Sequence, residues 1–557
     1  MAATEADEIL RNILERRGVK GDKQQQNFLY PDYPATLHDP LLLPDMEPAV
    51  ERIVQAISDG DRILVYGDYD IDGLAATTLL VSTLEGIGAD VTAFIPDRFE
   101  NGYGLNQATL QAVLEAHAPR LIITVDTGST AVAEIDWLNQ AGIDVIVTDH
   151  HEVLKQLPNA LAVINPKRKD SHYPFKGLAG TGVAFKLVQG LQQRTKLITP
   201  GQEKWLLDLV ALGTVCDVVP LVDENRTLVY WGLKVFAKTR RAGLRALADI
   251  TDQDLSQVSA STLGFIFGPR LNAAGRLENA DLSLKLLLSN DIKSCLAMAV
   301  KLNRLNTARR DQQTKVEAEA NKVIEQMSNH AVIVVGHKDW PQGVIGIVAS
   351  KLMEKYRKPV FIMQFLDGQA KGSARSFGDY NLADAIKYCR PLLISGGGHS
   401  AAAGFTVALE NVDDLRRKLN QHYRAQKLTN QDRYLEPEIE QRFTKFSSLT
   451  ADLAAKLELL APFGPGNWEP NFELSTLTIR QVKPVGREAK HLKLRVEDVH
   501  GHELEAISFN EQNIYRVGDR ISVIAKLRLN NYSGRSRPEL VVERITTKVN
   551  LHNPPLL

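Results

Sequence analysis

Cysteine is scarce in this chain. Cys216, Cys295 and Cys389 are the three among 557 residues, and they lie far apart with one necessarily unpaired. That excludes a disulfide framework or a thiolate zinc site and favours a reducing, cytoplasmic setting. No apolar run approaches the ~18 residues that span a bilayer. The opening Met-Ala-Ala-Thr-Glu-Ala-Asp holds no basic stretch leading into an apolar core, so neither a membrane nor a secretory signal is expected. An excess of one charge is missing too: 66 Lys+Arg stand against 67 Asp+Glu, so global charge neither selects nor excludes a polyanion partner. At 44% hydrophobic and 24% charged residues the chain is globular rather than disordered. Its length suggests roughly three or four domains.

Residues 1–50 are polar and then proline-punctuated, and read as a helix followed by an extended wrap against a neighbour. From residue 51 the pattern becomes regular. Short apolar runs at 62–66, 91–95, 121–125 and 145–147 alternate with helical stretches, which implies an α/β unit with a parallel sheet covered on both faces, taken as residues 51–235. Residues 236–330 read as a helical connector. Within it, 291–327 lack proline and glycine and predict one helix of about 55 Å joining two lobes. A second α/β unit is expected over 331–430. Residues 411–443 read as charged and helical, and within a final segment, 431–557, the stretch 472–548 alternates at the spacing of a β-barrel.

The carboxylates carry the chemistry. The first strand runs into Gly67-Asp-Tyr-Asp-Ile-Asp-Gly73, whose Asp68, Asp70 and Asp72 share a face if the chain stays extended. The next strand ends at Asp126 and the third at Asp149-His150-His151. A fourth apolar run, 210–215, read as strand-like, delivers Asp217. Ligands of open parallel sheets bind beyond the carboxyl ends of the strands, so these groups should meet in one crevice. Acids so close repel one another unless a cation compensates. Oxygen and imidazole donors without thiolates suit Mn²⁺ or Mg²⁺, and so many carboxylates favour two ions, as in phosphoryl hydrolysis. The bland alternative for each single residue is a turn or a helix cap.

Together with Val125-Asp-Thr-Gly128, Gly213-Thr-Val-Cys-Asp-Val-Val-Pro220, Phe267-Gly-Pro-Arg-Leu-Asn-Ala-Ala-Gly-Arg-Leu277, Gly372-Ser-Ala-Arg-Ser376 and Gly396-Gly-Gly-His-Ser-Ala-Ala-Ala-Gly404, these motifs resemble the DHH phosphoesterase superfamily, and within it the single-stranded-DNA exonucleases. The resemblance runs from about residue 50 to the end. It implies a parallel-sheet DHH domain, a second α/β (DHHA1) domain joined to it by a long helix, and a C-terminal OB fold. It implies metal ligation by Asp70, Asp72, Asp126, His150 and Asp217, with Asp126 bridging and Asp68 as an additional acid. His151 would contact the scissile phosphate, and Asp149 would orient the imidazoles. Tyr66 stands where many DHH phosphodiesterases have histidine, and Pro341-Gln342 where the exonuclease pattern usually begins with histidine.

Arg270, Asn272 and Arg276 suit phosphate contact, since guanidinium forks match phosphate oxygens, with a helix cap and surface arginines as the alternative. Ser373 and Arg375 beside Gly372 have the make-up of a terminal-phosphate pocket, which the resemblance assigns to the 5′ end. Arg98 and His399 match further substrate-contacting places of the family. Between Phe472 and Lys548, fourteen Lys+Arg against ten Asp+Glu, with Phe472, Phe509, Tyr515 and Tyr532 among them, suggest a surface for a single strand, although at least half of these aromatics should be core.

The expected activity is therefore two-metal 5′→3′ degradation of single-stranded DNA to 5′-mononucleotides, in repair or recombination. A single-strand-binding protein and a helicase are expected as partners, and no membrane. Two rivals stay open: a DHH oligoribonuclease or cyclic-dinucleotide phosphodiesterase, and a catalytically inactive DNA-binding scaffold.

Overall fold

The computed structural model describes residues 4–98, 104–327, 330–429, 431, 434, 437–486, 489–511, 513–530 and 536–547. Two compact units emerge: residues 38–219 with 232–436, and residues 1–37 with 220–231 and 437–557. Tyr532 and Lys548 lie outside the described residues.

The first unit opens with a parallel sheet ordered β2-β1-β3-β4-β5, built from β1 (Ile63–Gly67), β2 (Val91–Phe94), β3 (Leu121–Val125), β4 (Asp144–Thr148) and β5 (Ala162–Ile164). Every residue of β1 and β3 is buried, as expected of strands covered on both faces. The half-exposed β2 forms one edge. The Ile71–Gly86 helix is apolar nearly all round because it is sandwiched by neighbours, packing on the Gly180–Arg194 and Leu207–Cys216 helices.

The expected long helix is present as Ile292–Glu325, capped by Asp291, whose side chain accepts from Ser294 N–H. At 1.5 Å per residue it is about 51 Å long. One end packs on the Gly268–Leu277 helix and the other on the Gln342–Tyr356 helix, tying both lobes of this unit to one strut. The second sheet is ordered β6-β7-β8-β10-β9, from β6 (Ile333–His337), β7 (Val360–Leu366), β8 (Gln369–Arg375), β9 (Leu393–Gly398) and β10 (Ala402–Ala408). Only β6 and β7 run parallel.

In the other unit, β12 (Phe472–Val485), β13 (His491–Glu497), β14 (Glu503–Ser508), β15 (Arg520–Asn530) and β16 (Arg537–Thr547) pair in a closed ring, with β11 (Gln441–Phe443) beside β12. Closure leaves no open sheet edge among these five. The Glu5–Arg16 helix lays Ile9, Leu10, Ile13 and Leu14 into the same core as Phe472, Leu494 and Val523 of the barrel. Arg226 is buried in this unit and donates to the carbonyls of Phe28 (2.8 Å) and Leu460 (2.8 Å).

Three sequence expectations need correction. Residues 210–215 are helical, within Leu207–Cys216, because a five- or six-residue apolar run is ambiguous until its neighbours bury it on all sides. Residues 411–443 are not one helix: Val412–Ala425 is helical and Gln441–Phe443 is a strand on the barrel. The early region is more helical than an extended wrap, with Asp22–Leu29 and Met46–Asp59 forming further helices.

Candidate metal centre

The carboxyl ends of β1, β3 and β4 open on one side of the first sheet and deliver Asp68, Asp126 and the Asp149-His150-His151 turn. Asp217 arrives differently, as the C-terminal cap of the Leu207–Cys216 helix. The Asp68/Asp70/Asp72 trio does not share a strand face. Asp70 caps the Ile71–Gly86 helix, accepting from Asp72 N–H (2.8 Å) and Gly73 N–H (3.2 Å), and Asp72 lies in its first turn. Helix geometry, rather than strand alternation, brings the trio to the rim.

Three groups of side chains converge with ligand atoms within 4.8 Å of one another: Asp68 with Asp70 and Asp126; Asp72 with His150 and Asp217; and Asp126 with His150 and His151. Asp126 belongs to two of them, as a bridging ligand requires. His150 Nε2 stands 3.1 Å from Asp126 Oδ1, 3.7 Å from Asp217 Oδ2 and 3.9 Å from Asp72 Oδ2.

Four atoms here, Asp68 Oδ1, Asp126 Oδ1, His150 Nε2 and Asp217 Oδ2, are buried without a hydrogen-bond partner. Each is costly to leave so. A cluster of unsatisfied lone pairs facing a common space is resolved by cations, and the donor set fits hard divalent ions. Electrostatics agrees. Burial, then the charge of Asp70, pushes the Asp68 carboxyl up to about 8. Burial, then Asp72, pushes Asp217 up to about 9. Asp126 is raised well above the usual carboxylate range by burial and by the charges of Asp72, Asp70, Asp68 and Asp217. Burial lowers His150, favouring the neutral imidazole that ligates metals.

Asp149 has the opposite environment. Its carboxylate accepts from Ser129 N–H (2.9 Å), His150 N–H (2.7 Å), His151 N–H (3.1 Å) and His151 Nδ1 (2.8 Å). Although burial works against it, these bonds hold Asp149 far below the usual range. Burial also works against protonated His151, but the Asp149 bond and carboxylate charge outweigh it and raise its pKa. Asp149 thus fixes the orientation of one ring and the backbone of both histidines.

Sequence reasoning missed the support for Asp72. Its carboxylate accepts from Gly180 N–H (2.6 Å) and Thr181 N–H (2.9 Å), at the N-terminus of the Gly180–Arg194 helix, and from the Thr181 hydroxyl. A Cβ at Gly180 would stand 2.6 Å from Asp126 Oδ1, so only glycine lets that helix approach so closely. The run Ala179-Gly-Thr-Gly182 was the available signal: glycines beside a hydroxyl at a helix start.

The substrate candidates divide. Burial, then the charges of Arg98 and Arg309, depresses Arg276 to about 10, and burial, then Arg98, also lowers Arg375. Arg98 stacks over the Tyr69 ring at 5.2 Å. Arg375 donates to Ser373 Oγ (3.1 Å). Arg276 faces the Gly343 carbonyl at 3.4 Å. In the second sheet Arg375 pairs with Ala402, and His399 sits in the exposed turn just before it. Asn272 points inward, its Oδ1 accepting from Ile71 N–H (2.9 Å), so it braces the acidic helix start. Arg270 is held by Asn303 Oδ1 (2.9 Å) and the Ile266 carbonyl (2.7 Å), away from the acids. Arg309, unnoticed in the sequence, is part-buried on the long helix, bonded to Asn306 and repelling Arg276. Tyr66 is buried, its hydroxyl donating to the Gly104 carbonyl (3.2 Å).

In the barrel, Phe472 is fully buried and Tyr515 nearly so, while Phe509 is exposed against the His491 ring.

Residues 62–214 match the DHH family, N-terminal domain; residues 328–425 match the DHHA1 domain and 443–544 the RecJ OB domain. The single-stranded-DNA-specific exonuclease RecJ of Bacillus subtilis is 36% identical over 541 residues, covering 96% of this chain and 67% of that protein. That of Dickeya dadantii is 35% identical over 570 residues, covering 96% of both. Among solved structures, RecJ from Thermus thermophilus in complex with Mn²⁺ superposes with a TM-score of 0.81 at 30% identity, over 99% of this chain and 76% of that one. The Mg²⁺ complex gives 0.75 at 28% identity, over 98% and 74%.

Proposed function

The chain belongs to the RecJ family of DHH-domain exonucleases, and on that basis we propose that it shortens single-stranded DNA from the 5′ end, releasing 5′-mononucleotides, with two divalent cations, Mn²⁺ or Mg²⁺. It is a metal-dependent single-stranded-DNA exonuclease. The observation that carries the reading is the set of four buried, unpartnered ligand atoms converging around Asp126.

Asp68, Asp70 and Asp126 would hold one cation, and Asp72, Asp126, His150 and Asp217 the other. When bound, the pair supplies activation of water and neutralises charge on the phosphate. The protein's own groups do the rest. His151, favoured in its protonated form by Asp149, donates to a non-bridging oxygen of the scissile phosphate. Asp149 keeps that ring oriented, and Asn272, Gly180 and Thr181 hold the acids against mutual repulsion. Arg98, Arg276, Ser373 and Arg375 bind the terminal 5′ phosphate, which sets direction, with His399 contacting the strand from the turn beside Arg375 and Arg270 contacting it farther along. In this division of labour residues 51–235 cut, 331–430 grip the end of the strand, and the barrel within 431–557 binds single-stranded DNA.

Repair and recombination are the processes that consume such an activity. A helicase that exposes single strands and a single-strand-binding protein that coats them fit as partners in the cytoplasm. Among the described residues no helix is long and apolar enough to cross a membrane.

Digestion of 5′-labelled and 3′-labelled oligomers in Mn²⁺ tests the reading. Immediate release of labelled mononucleotide from the 5′-labelled strand, with a descending ladder from the 3′-labelled one, is the expected result. The reverse pattern, or equal attack on a dinucleotide and a long oligomer, would overturn it.

A further inference from the structure

We propose that Phe265 is a base-stacking platform that receives the DNA strand as it leaves the catalytic rim. The inference rests on the single-strand reading above. Phe265 is 79% exposed, and it belongs to a π-helical turn, Leu263–Phe267, inserted between two helices. Such turns carry one residue more than an α-turn, are costly, and recur at functional sites. This one is pinned from two directions. The Leu263 carbonyl accepts from the Cys216 thiol at 3.7 Å, and a Cβ on Gly268 would stand 2.5 Å from that same sulfur. The Ile266 carbonyl accepts from Arg270 at 2.7 Å.

Cys216 immediately precedes the acid Asp217, so the turn is packed directly behind the rim. The next residue, Val218, is 65% exposed with φ 62. A β-branched side chain in the left-handed region is strained, and it holds a second apolar surface out to solvent beside the acids. Two outward-facing apolar side chains on braced backbone next to a phosphodiester site are poor choices for solubility. They suit a ligand with flat apolar faces and a charged backbone.

Charge supports the same occupant. The Gly268–Leu277 helix begins at this turn. It carries Arg270 one turn from Phe265 and Arg276 near its far end, beside the Arg98 and Arg375 cluster. Its middle packs on the acidic helix start through Asn272. Along about 15 Å of helix, the order is therefore 5′-phosphate grip, acids, cation, aromatic. A strand whose end sits at Arg375 and whose first linkage meets the acids would pass Arg270 with a phosphate and Phe265 with a base. Stacking is indifferent to base identity, as a non-specific exonuclease requires.

The test compares wild-type protein with F265A, F265L and F265W on a 5′-phosphorylated 20-mer and a 5′-phosphorylated dinucleotide in Mn²⁺. We expect F265A and F265L to raise KM for the 20-mer about 5-fold or more, so that the wild-type preference for the long strand over the dinucleotide shrinks by that factor, and F265W to restore it. A 2-aminopurine placed downstream of the first linkage should be quenched on binding by wild type and F265W and not by F265A. An unaltered 20-mer KM in F265A, equal losses on both substrates, or full rescue by leucine would each overturn the proposal. Absence of strand hydrolysis by the wild-type protein would instead sink the exonuclease reading itself.

Discussion

Two like-charged clusters face each other within the larger unit, and they are built on opposite plans. The acids of the rim converge: ligand atoms of different residues lie within 4.8 Å, and four buried atoms have no hydrogen-bond partner. The arginines opposite are also part-buried and mutually repelling, yet Arg276, Arg309 and Arg375 each keep a local oxygen acceptor and stand apart on different elements. The difference teaches what each cluster is for. Converging oxygens with unmet lone pairs suit a compact dication. Spaced guanidinium groups, already satisfied in part, suit a flexible polyanion whose charges repeat along its length.

The sharpest way to break this contrast is Asp126→Ala, which removes the one carboxylate shared by two of the three groups of ligands. Hydrolysis should fall on the order of 10³-fold or more, while anisotropy with a labelled oligomer shows strand affinity largely kept. Loss of strand binding in the same proportion would mean that the two clusters are not separable.

Arg375→Gln strikes the other cluster. KM for a 5′-phosphorylated strand should rise roughly 10- to 100-fold, as for loss of a charge-assisted phosphate bond, with a much smaller change for a strand bearing a 5′ hydroxyl. Equal effects on both ends would argue against a terminal-phosphate pocket.

Thr181→Val should weaken Mn²⁺ binding about 10-fold, a typical cost of losing an outer support of a ligand, and titration calorimetry would register it. Because the backbone bonds from Gly180 and Thr181 remain, Asp72 should stay roughly in position.

The smallest effect concerns pH. Asp68 and Asp217 are raised to about 8 and about 9, against roughly 4 for an unfolded aspartate. Between those values the unfolded chain binds fewer protons than the folded one, so stability of the metal-free protein should fall as pH rises from about 4 to about 9. A Tm lower by a few degrees at pH 9 than at pH 6 is expected, with Mn²⁺ giving a larger gain at the higher pH and releasing protons as it binds. A metal-free Tm that climbs over this range would contradict the account.

Much of this was legible in the chain. Apolar runs ending in aspartate mark strands feeding a rim, because buried parallel strands leave composition little choice. The 291–327 stretch announces its helix by lacking breakers. What escaped depends on partners distant in sequence. The run that delivers Asp217 reads as a strand yet is helical, because it is buried on every side and period is silent there. Thr181 and Gly180 meet Asp72 across more than a hundred residues. The bond from Ile71 N–H to the Asn272 amide oxygen, which ties that side chain to the acidic helix start, likewise joins residues about two hundred positions apart. Arg309 was one basic residue among many on a polar helix until packing half-buried it.

The strut from Ile292 to Glu325 also acts as a phase-setting axle. Adding one residue near its middle would turn everything beyond by about 100° and advance it by about 1.5 Å, swinging Ser373 and Arg375 away from the carboxylates. Seven added residues, close to two full turns, would bring the same face back into line but some 10 Å too far along. Length variation should therefore be tolerated in the loops of this chain long before it is tolerated in that uninterrupted run, since there a deletion rewrites the distance between Arg375 and the acidic rim.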